Sequence, residues 1–264
     1  MRTEELTFYH GTDERAARAI LTSGARHSIF EEIGARALGR EIRSALLETY
    51  SLSPKEDWRL HFLVKGPGSD SSGLWVSALR QLDDPQDKSL IEYGHFFATL
   101  NIGNAYRYAI DNPYRSEFIL ALAESLKILE SAGHPLPKSV ASRFPEVDRL
   151  IRAPSSPLVL ELRGISHDRL RTEDGGRDVD ARIELFLSVQ LYSGVNDPAA
   201  FRIQTVTARD VVAVHLLDGL SAKEVEDSFW QPSPSNVAAM RLPVHEWLAH
   251  SSDLGPGSAQ CRRG

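Results

Sequence analysis

A short stretch near the start of the chain, Leu6-Thr7-Phe8-Tyr9-His10-Gly11-Thr12, narrows the folds open to it more than any other. Leu6, Phe8 and Tyr9 read as a strand. The strand runs straight into a helix pattern: Asp13 and Glu14, then Ala16, Ala17, Ile20 and Leu21, closed by Ser23-Gly24. Thr12 or Asp13 can cap that helix, because a short side-chain oxygen accepts from the orphan N–H groups of the first turn. The acids there also suit the positive end of the helix dipole. Gly24 fits the stop, where a left-handed residue is common. A His therefore stands at a strand end, beside a Gly with no side chain and a Thr with a hydroxyl. That trio suits a polar ligand lying against the backbone. The plainer alternative is a surface turn with a hydrogen-bonded His.

Composition bounds the rest. The chain has 264 residues, 42% hydrophobic and 25% charged, enough for one large domain or a domain with an insertion. A net charge of −6 gives no overall basic field to hold nucleic acid non-specifically, although 30 Lys and Arg leave room for a local basic patch. Cys261 is the single cysteine, so no intrachain disulfide forms. The nine His are scattered without metal-ligand spacing. There is no apolar run of membrane-spanning length and no signal-peptide pattern, so the expectation is a cytoplasmic protein that does not enter a membrane. Secretion by a dedicated apparatus stays open.

Residues 29–50 carry Ile33, Ala37, Leu38, Ile42, Ala45, Leu46 and Leu47 at helical spacing, and Trp58 to Val64 reads as a short strand or helix. Lys65 to Gly73 is a loop by composition and lacks the Lys-Ser or Lys-Thr of a phosphate-binding P-loop. Leu74 to Leu82 reads as helix. The second informative stretch is Tyr93-Gly94-His95-Phe96-Phe97-Ala98-Thr99, an aromatic strand, followed by a helix with Ala105, Tyr106 and Ala109 on one side. Residues 112–155, with Phe118, Leu122, Leu126 and Leu129 at helical spacing, read as a mostly helical insertion. Ser156 to Gly164 is a clear strand, 165–180 an exposed loop, Arg182 to Tyr192 a buried strand, and Phe201 to Val206 another strand. Val211 to Leu217 closes the set after a short turn. Residues 219–230 read as an amphipathic helix and 231–235 as a linker. Val237 to Ala249 reads as a last short helix, and 251–264 as a disordered tail.

The His-Gly-Thr strand end with its short helix, and the glycine, aromatic strand and Ala-Tyr helix at 94–106, resemble two signatures of the NAD-dependent ADP-ribosyltransferase superfamily. This group includes poly-ADP-ribose polymerases and small bacterial toxins. The Thr207-Ala208-Arg209-Asp210 turn before Val211 resembles its closing segment. The resemblance implies an α+β fold, a split antiparallel β-sheet core with flanking helices and a helical insertion. It would occupy residues 1–230, with the insertion at about 112–155 and a linker, short helix and tail over 231–264. It also implies that NAD is held by His10, Gly11 and Thr12. Phe96 would stack on nicotinamide, and Tyr106 would lie on the helix below. Phe keeps the stacking face of the family's usual Tyr without its hydroxyl.

The family often places a Glu near the last strands, where its charge stabilises the cationic ribose as nicotinamide leaves. No Glu occupies 200–204. Gln204 there can bond a ribose hydroxyl without charge. Glu184, in what reads as an apolar strand, would bring full charge, and a Glu is costly to bury in such a strand unless something uses it. The alternative is a Glu184 paired with Arg182 or Arg202. The activity implied is transfer of ADP-ribose from NAD to a protein or nucleic-acid acceptor. The context would be a bacterial toxin or defence effector with an antitoxin or chaperone partner. Two rivals stand beside it: the same fold as an inactive module that binds NAD or nucleic acid, and an unrelated α+β interaction protein.

Overall fold

The computed structural model describes residues 2–24, 34–63, 79, 96–111, 117–152, 155–173, 175–193, 200–217 and 239–252. The expected loop at 65–73, the helix at 219–230, the linker at 231–235 and the end of the tail lie outside these. So does all of the 74–82 helix except Leu79.

Strand β1 (Phe8–Asp13) leads directly into α1 (Glu14–Ser23). Asp13 is the cap, accepting from the Ala16 N–H at 2.8 Å, and Gly24 ends the helix at φ +74°. There follow α2 (Ala35–Thr49), a 3₁₀ turn at Pro54–Arg59, α3 (Leu60–Leu63), β2 (Phe96–Thr99), α4 (Ile102–Asp111) and α5 (Glu117–Ser131). Short α6 (Lys138–Ala141) and α7 (Pro145–Arg152) precede β3 (Pro157–Leu162), β4 (Leu170–Thr172), α8 (Val179–Ser193) and β5 (Ala200–Ile203). The chain closes with β6 (Val211–Leu216), β7 (Met240–Pro243) and α9 (Val244–Ser252).

Two compact units form. One takes Met1–Ala25, Phe97–Asp111 and Ser156–Gly264; the other takes Arg26–Phe96 and Asn112–Ser155. The first is an α+β unit around a seven-stranded antiparallel sheet in the order β4-β5-β2-β1-β3-β6-β7. Strand β3 is its axis: Leu158, Val159, Leu160 and Leu162 are all at most 1% exposed, and at about 1.5–3 kcal/mol each they are a large share of what holds the sheet. β3 pairs with β1 over six residues, Phe8 opposite Leu162 through Asp13 opposite Pro157. The seam between β1 and β2 is thinner, with one backbone pair, Tyr9 opposite Thr99.

The second unit is helical. Ala35, Leu38, Ile42 and Leu46 of α2, at helical spacing, pack with Phe118, Ile119, Leu122 and Leu129 of α5 and Val147 of α7. The 112–155 segment thus shares one core with residues from 26–96. Asp57 is buried there and pairs with Arg43 at 2.7 Å.

Three expectations are overturned. Arg182 to Tyr192 is helix α8, not a strand: Val179, Ile183 and Phe186 are buried while Glu184 and Leu185 are exposed, a helical stripe rather than alternation. Residues 237–249 are not one helix. Met240–Pro243 is an edge strand and helix α9 starts after it, since the residue before a proline disfavours helical backbone. The loop at 165–180 contains a strand, β4, paired with β5.

Candidate functional site

The register sorts the residues of interest onto two faces of the sheet. Tyr9 stands opposite Glu161 and Gly11 opposite Val159; these in turn oppose Ala213 and His215 of β6. Alternation puts all six on one face and Phe8, His10 and Thr12 on the other.

His10 closes the thin seam. Its Nδ1 donates to the Phe97 carbonyl of β2 at 2.6 Å, beside the Tyr9–Thr99 pair of the two strands. Burial pushes the ring down to about 4, against a smaller upward pull from the Phe97 bond. The imidazole is therefore neutral at ordinary pH. With Nδ1–H committed to a carbonyl, Nε2 is the acceptor nitrogen.

Gly11 has a different use from the one its sequence suggests. A Cβ there would meet the Ala105 carbonyl oxygen at 2.3 Å and the Ala109 nitrogen at 3.1 Å. Helix α4 therefore lies directly on β1, filling the space that an open backbone would offer a ligand. Thr12 is 1% exposed, so its hydroxyl does not face solvent. His10 is the member of the trio that is only partly buried as a residue.

Phe96 opens β2 half-buried, on the same side of that strand as Ala98. Phe97 points to the opposite side and lies 5.8 Å beneath the Arg202 guanidinium, a cation–π distance. Gln204 is exposed just past β5, its N–H bonded to the Arg169 carbonyl at 2.9 Å. Glu184 is exposed on α8. Tyr106 is 3% exposed on the α4 side of the sheet, away from His10. The fold thus brings the His10 strand and the aromatic strand side by side, and leaves Tyr106 on the far face and Glu184 on a helix.

That far face holds a polar cluster which the sequence reading missed. Tyr106 Oη lies 3.0 Å from His215 Nδ1, and His215 Nε2 lies 3.1 Å from Glu161 Oε2. Arg241 of β7 donates to both Glu161 oxygens, at 2.7 and 3.1 Å, and Arg163 stands 3.0 Å from Oε1. Facing a carboxylate, Nε2 carries the ring proton, so Nδ1 accepts from the Tyr106 hydroxyl. Burial pushes Glu161 up, yet the bonds from Arg241 and His215 outweigh it and hold the carboxyl below its usual range. Burial pushes His215 down despite Glu161, and pushes Tyr106 up. One signal was available: Glu161 is the charged residue inside Leu158-Val-Leu-Glu-Leu162, and burying a lone carboxylate demands partners.

Another buried acid, Asp210, fixes the turn before β6. Arg169 donates to both of its oxygens, at 3.1 and 2.6 Å, and the Thr207 N–H and hydroxyl donate to Oδ2. Among the described residues no group of three or more His, Cys, Asp or Glu is placed to hold a metal, and no helix is long and apolar enough to cross a membrane. Comparison with protein-family models, with curated proteins and with solved structures finds no match to this chain.

Proposed function

We propose that the sheet-bearing unit binds NAD and transfers ADP-ribose from it to a protein or nucleic-acid acceptor. The observation that carries this reading is the bond from His10 to the Phe97 carbonyl. It joins residues 87 positions apart, from the two motifs that resemble ADP-ribosyltransferase signatures, on adjacent strands of one sheet. In the transfer, the bond from ribose C1 to nicotinamide breaks and nicotinamide leaves with the electron pair. An acceptor nucleophile then bonds C1 and gives up its proton. His10 serves through Nε2, accepting from a ribose hydroxyl, and Phe96 supplies a stacking face for nicotinamide. Gln204, just past the end of β5, is the polar group for the ribose; Glu184 is the charged alternative.

One observation favours a second reading. Glu184 is exposed on a helix, where a carboxylate is screened by water and stabilises a cation weakly. An inactive module that holds NAD without turnover accords with that. Nicotinamide release from labelled NAD separates the two, run with cell lysate, with and without nuclease, beside His10→Ala. Transferase activity predicts release that depends on His10 and label on a nuclease- or protease-sensitive acceptor. Binding without release supports the module, and absence of binding removes both.

A further inference from the structure

We infer that Arg163 and Arg241, held together on the buried Glu161 carboxylate with the Tyr9 hydroxyl beside them, form a binding site for a phosphate group. The site lies on the face of the sheet away from His10 and stands independently of the reading above.

The argument begins with charge. The Glu161 side chain is 4% exposed, and its one negative charge is met by two guanidinium groups. Arg241 donates from Nε to Oε2 and from Nη2 to Oε1. An Arg163 nitrogen stands 3.0 Å from the same Oε1. Among the described residues, Glu161 is the one carboxylate paired with either arginine. His215 reaches Oε2 from the other side, and burial holds its pKa below the ordinary value, so it adds no charge at neutral pH. Two positive charges therefore converge on one negative charge, in a chain whose net charge is −6. Like charges brought so close repel unless an anion stands between them, and Glu161 neutralises one of the two.

The two guanidinium groups are anchored along one edge and open along the other. Each carries five N–H groups. Arg241 commits two of them to Glu161, and Arg163 pairs through one nitrogen. Their side chains are 49% and 57% exposed, so donors remain on the solvent side. Anchoring also reduces the rotamer freedom that a long side chain gives up on binding. Tyr9 lies opposite Glu161 in the β1–β3 ladder, on the same face. Its ring meets that of His215 edge-on at 6.1 Å. Burial and then Glu161 push the pKa of its hydroxyl up, while Arg163 and Arg241 pull it down, so the oxygen stands among all three charges. Among the described residues this hydroxyl has no hydrogen-bond partner. Phosphate suits such a donor set better than a carboxylate does. One guanidinium fork satisfies both oxygens of a carboxylate, whereas two forks and a hydroxyl match the greater charge and the additional oxygens of a phosphate.

The test is titration of inorganic phosphate into the full chain at low ionic strength, followed by calorimetry and by ³¹P line broadening. Arg163→Gln removes one fork and leaves Glu161 bonded to Arg241 and His215. Arg241→Gln removes the other, and Tyr9→Phe removes a hydroxyl alone. Arg152→Gln, on α7 of the helical unit and 74% exposed, removes the same charge elsewhere. Thermal unfolding checks the fold of each variant; should Arg241→Gln not fold, Arg163→Gln and Tyr9→Phe decide. The expected result is saturable binding, weakened about tenfold or more by each arginine variant, about threefold by Tyr9→Phe and less than about twofold by the control. Binding that does not saturate, full affinity in Arg163→Gln, or an equal loss in Arg152→Gln overturns the inference. Adenosine monophosphate is titrated beside inorganic phosphate. Tighter binding with the same arginine dependence assigns the site to phosphate carried on a nucleotide, and equal or weaker binding assigns it to the free ion. Phosphate binding in a protein that fails to bind NAD sinks the function proposed above and leaves this site standing.

Discussion

At Gly11 a hydrogen decides where a helix can lie. The Cβ of an alanine would fall 2.3 Å from a backbone oxygen of α4, and a backbone cannot swing aside as a side chain does. Gly11→Ala is expected to cost at least about 2 kcal/mol by denaturant unfolding, at the upper end of overpacking penalties. His10, one residue earlier, gives a pH signature. Its folded midpoint of about 4 lies below the ordinary 6.5, so the unfolded chain binds the extra proton between those values. The stability it contributes is complete above pH 6.5 and is lost as pH falls toward 4, at most about 3 kcal/mol. Unfolding free energies across that window are expected to slope less in His10→Asn than in the unaltered protein. Equal slopes would mean that the ring is not buried neutral.

Helix α8 shows at the scale of elements what sequence patterns can and cannot decide. Leu185-Phe186-Leu187 would be apolar on both faces of a strand, which reads as a buried strand. Yet Val179, Ile183 and Phe186 lie at helical spacing in the same segment, and those three are the buried ones. Both readings fit the letters, and packing chose. The two outcomes differ in a measurable way: a strand would put Ile183 and Leu185 on one face. Leu185→Lys should therefore change stability by less than about 0.5 kcal/mol, whereas Phe186→Ala should cost about 3 kcal/mol or more. Elements whose signals are local were legible: β1 with its Asp13 cap, α5 with its repeating leucines, and β3 as an unbroken apolar run. The central strands and the aromatic strand beside β1 could be argued from motifs. The Tyr106–His215–Glu161 cluster could not, because its members lie on α4, β6 and β3 and meet only through pairing register. A buried Glu needs partners, but Glu184 lies exposed on helix α8, outside that rule. Glu161 was the residue it described.

Over the whole molecule, the chain alternates between its two units, and the helical one is assembled from two separated segments. Had 112–155 been an insertion with its own core, its removal would be tolerated. Instead α2 buries Leu38, Ile42 and Leu46 against Phe118, Ile119 and Leu122. Excision of 112–155 is expected to leave that apolar stripe bare, giving strong binding of a hydrophobic dye and aggregation. A soluble, monomeric product with unchanged dye binding would contradict the shared core.

The position of β1 sets a timetable for synthesis. This strand is translated before the other strands of the sheet, yet its six-residue ladder partner is β3 and its other neighbour is β2. At ribosomal elongation rates, on the order of ten seconds separate the emergence of β1 from that of β3. During that wait Phe8 and Tyr9 have no sheet to enter, and closing so long a loop makes the pairing slow once it becomes possible. The strand at the middle of the finished sheet is therefore the one that spends longest as an unpaired nascent segment.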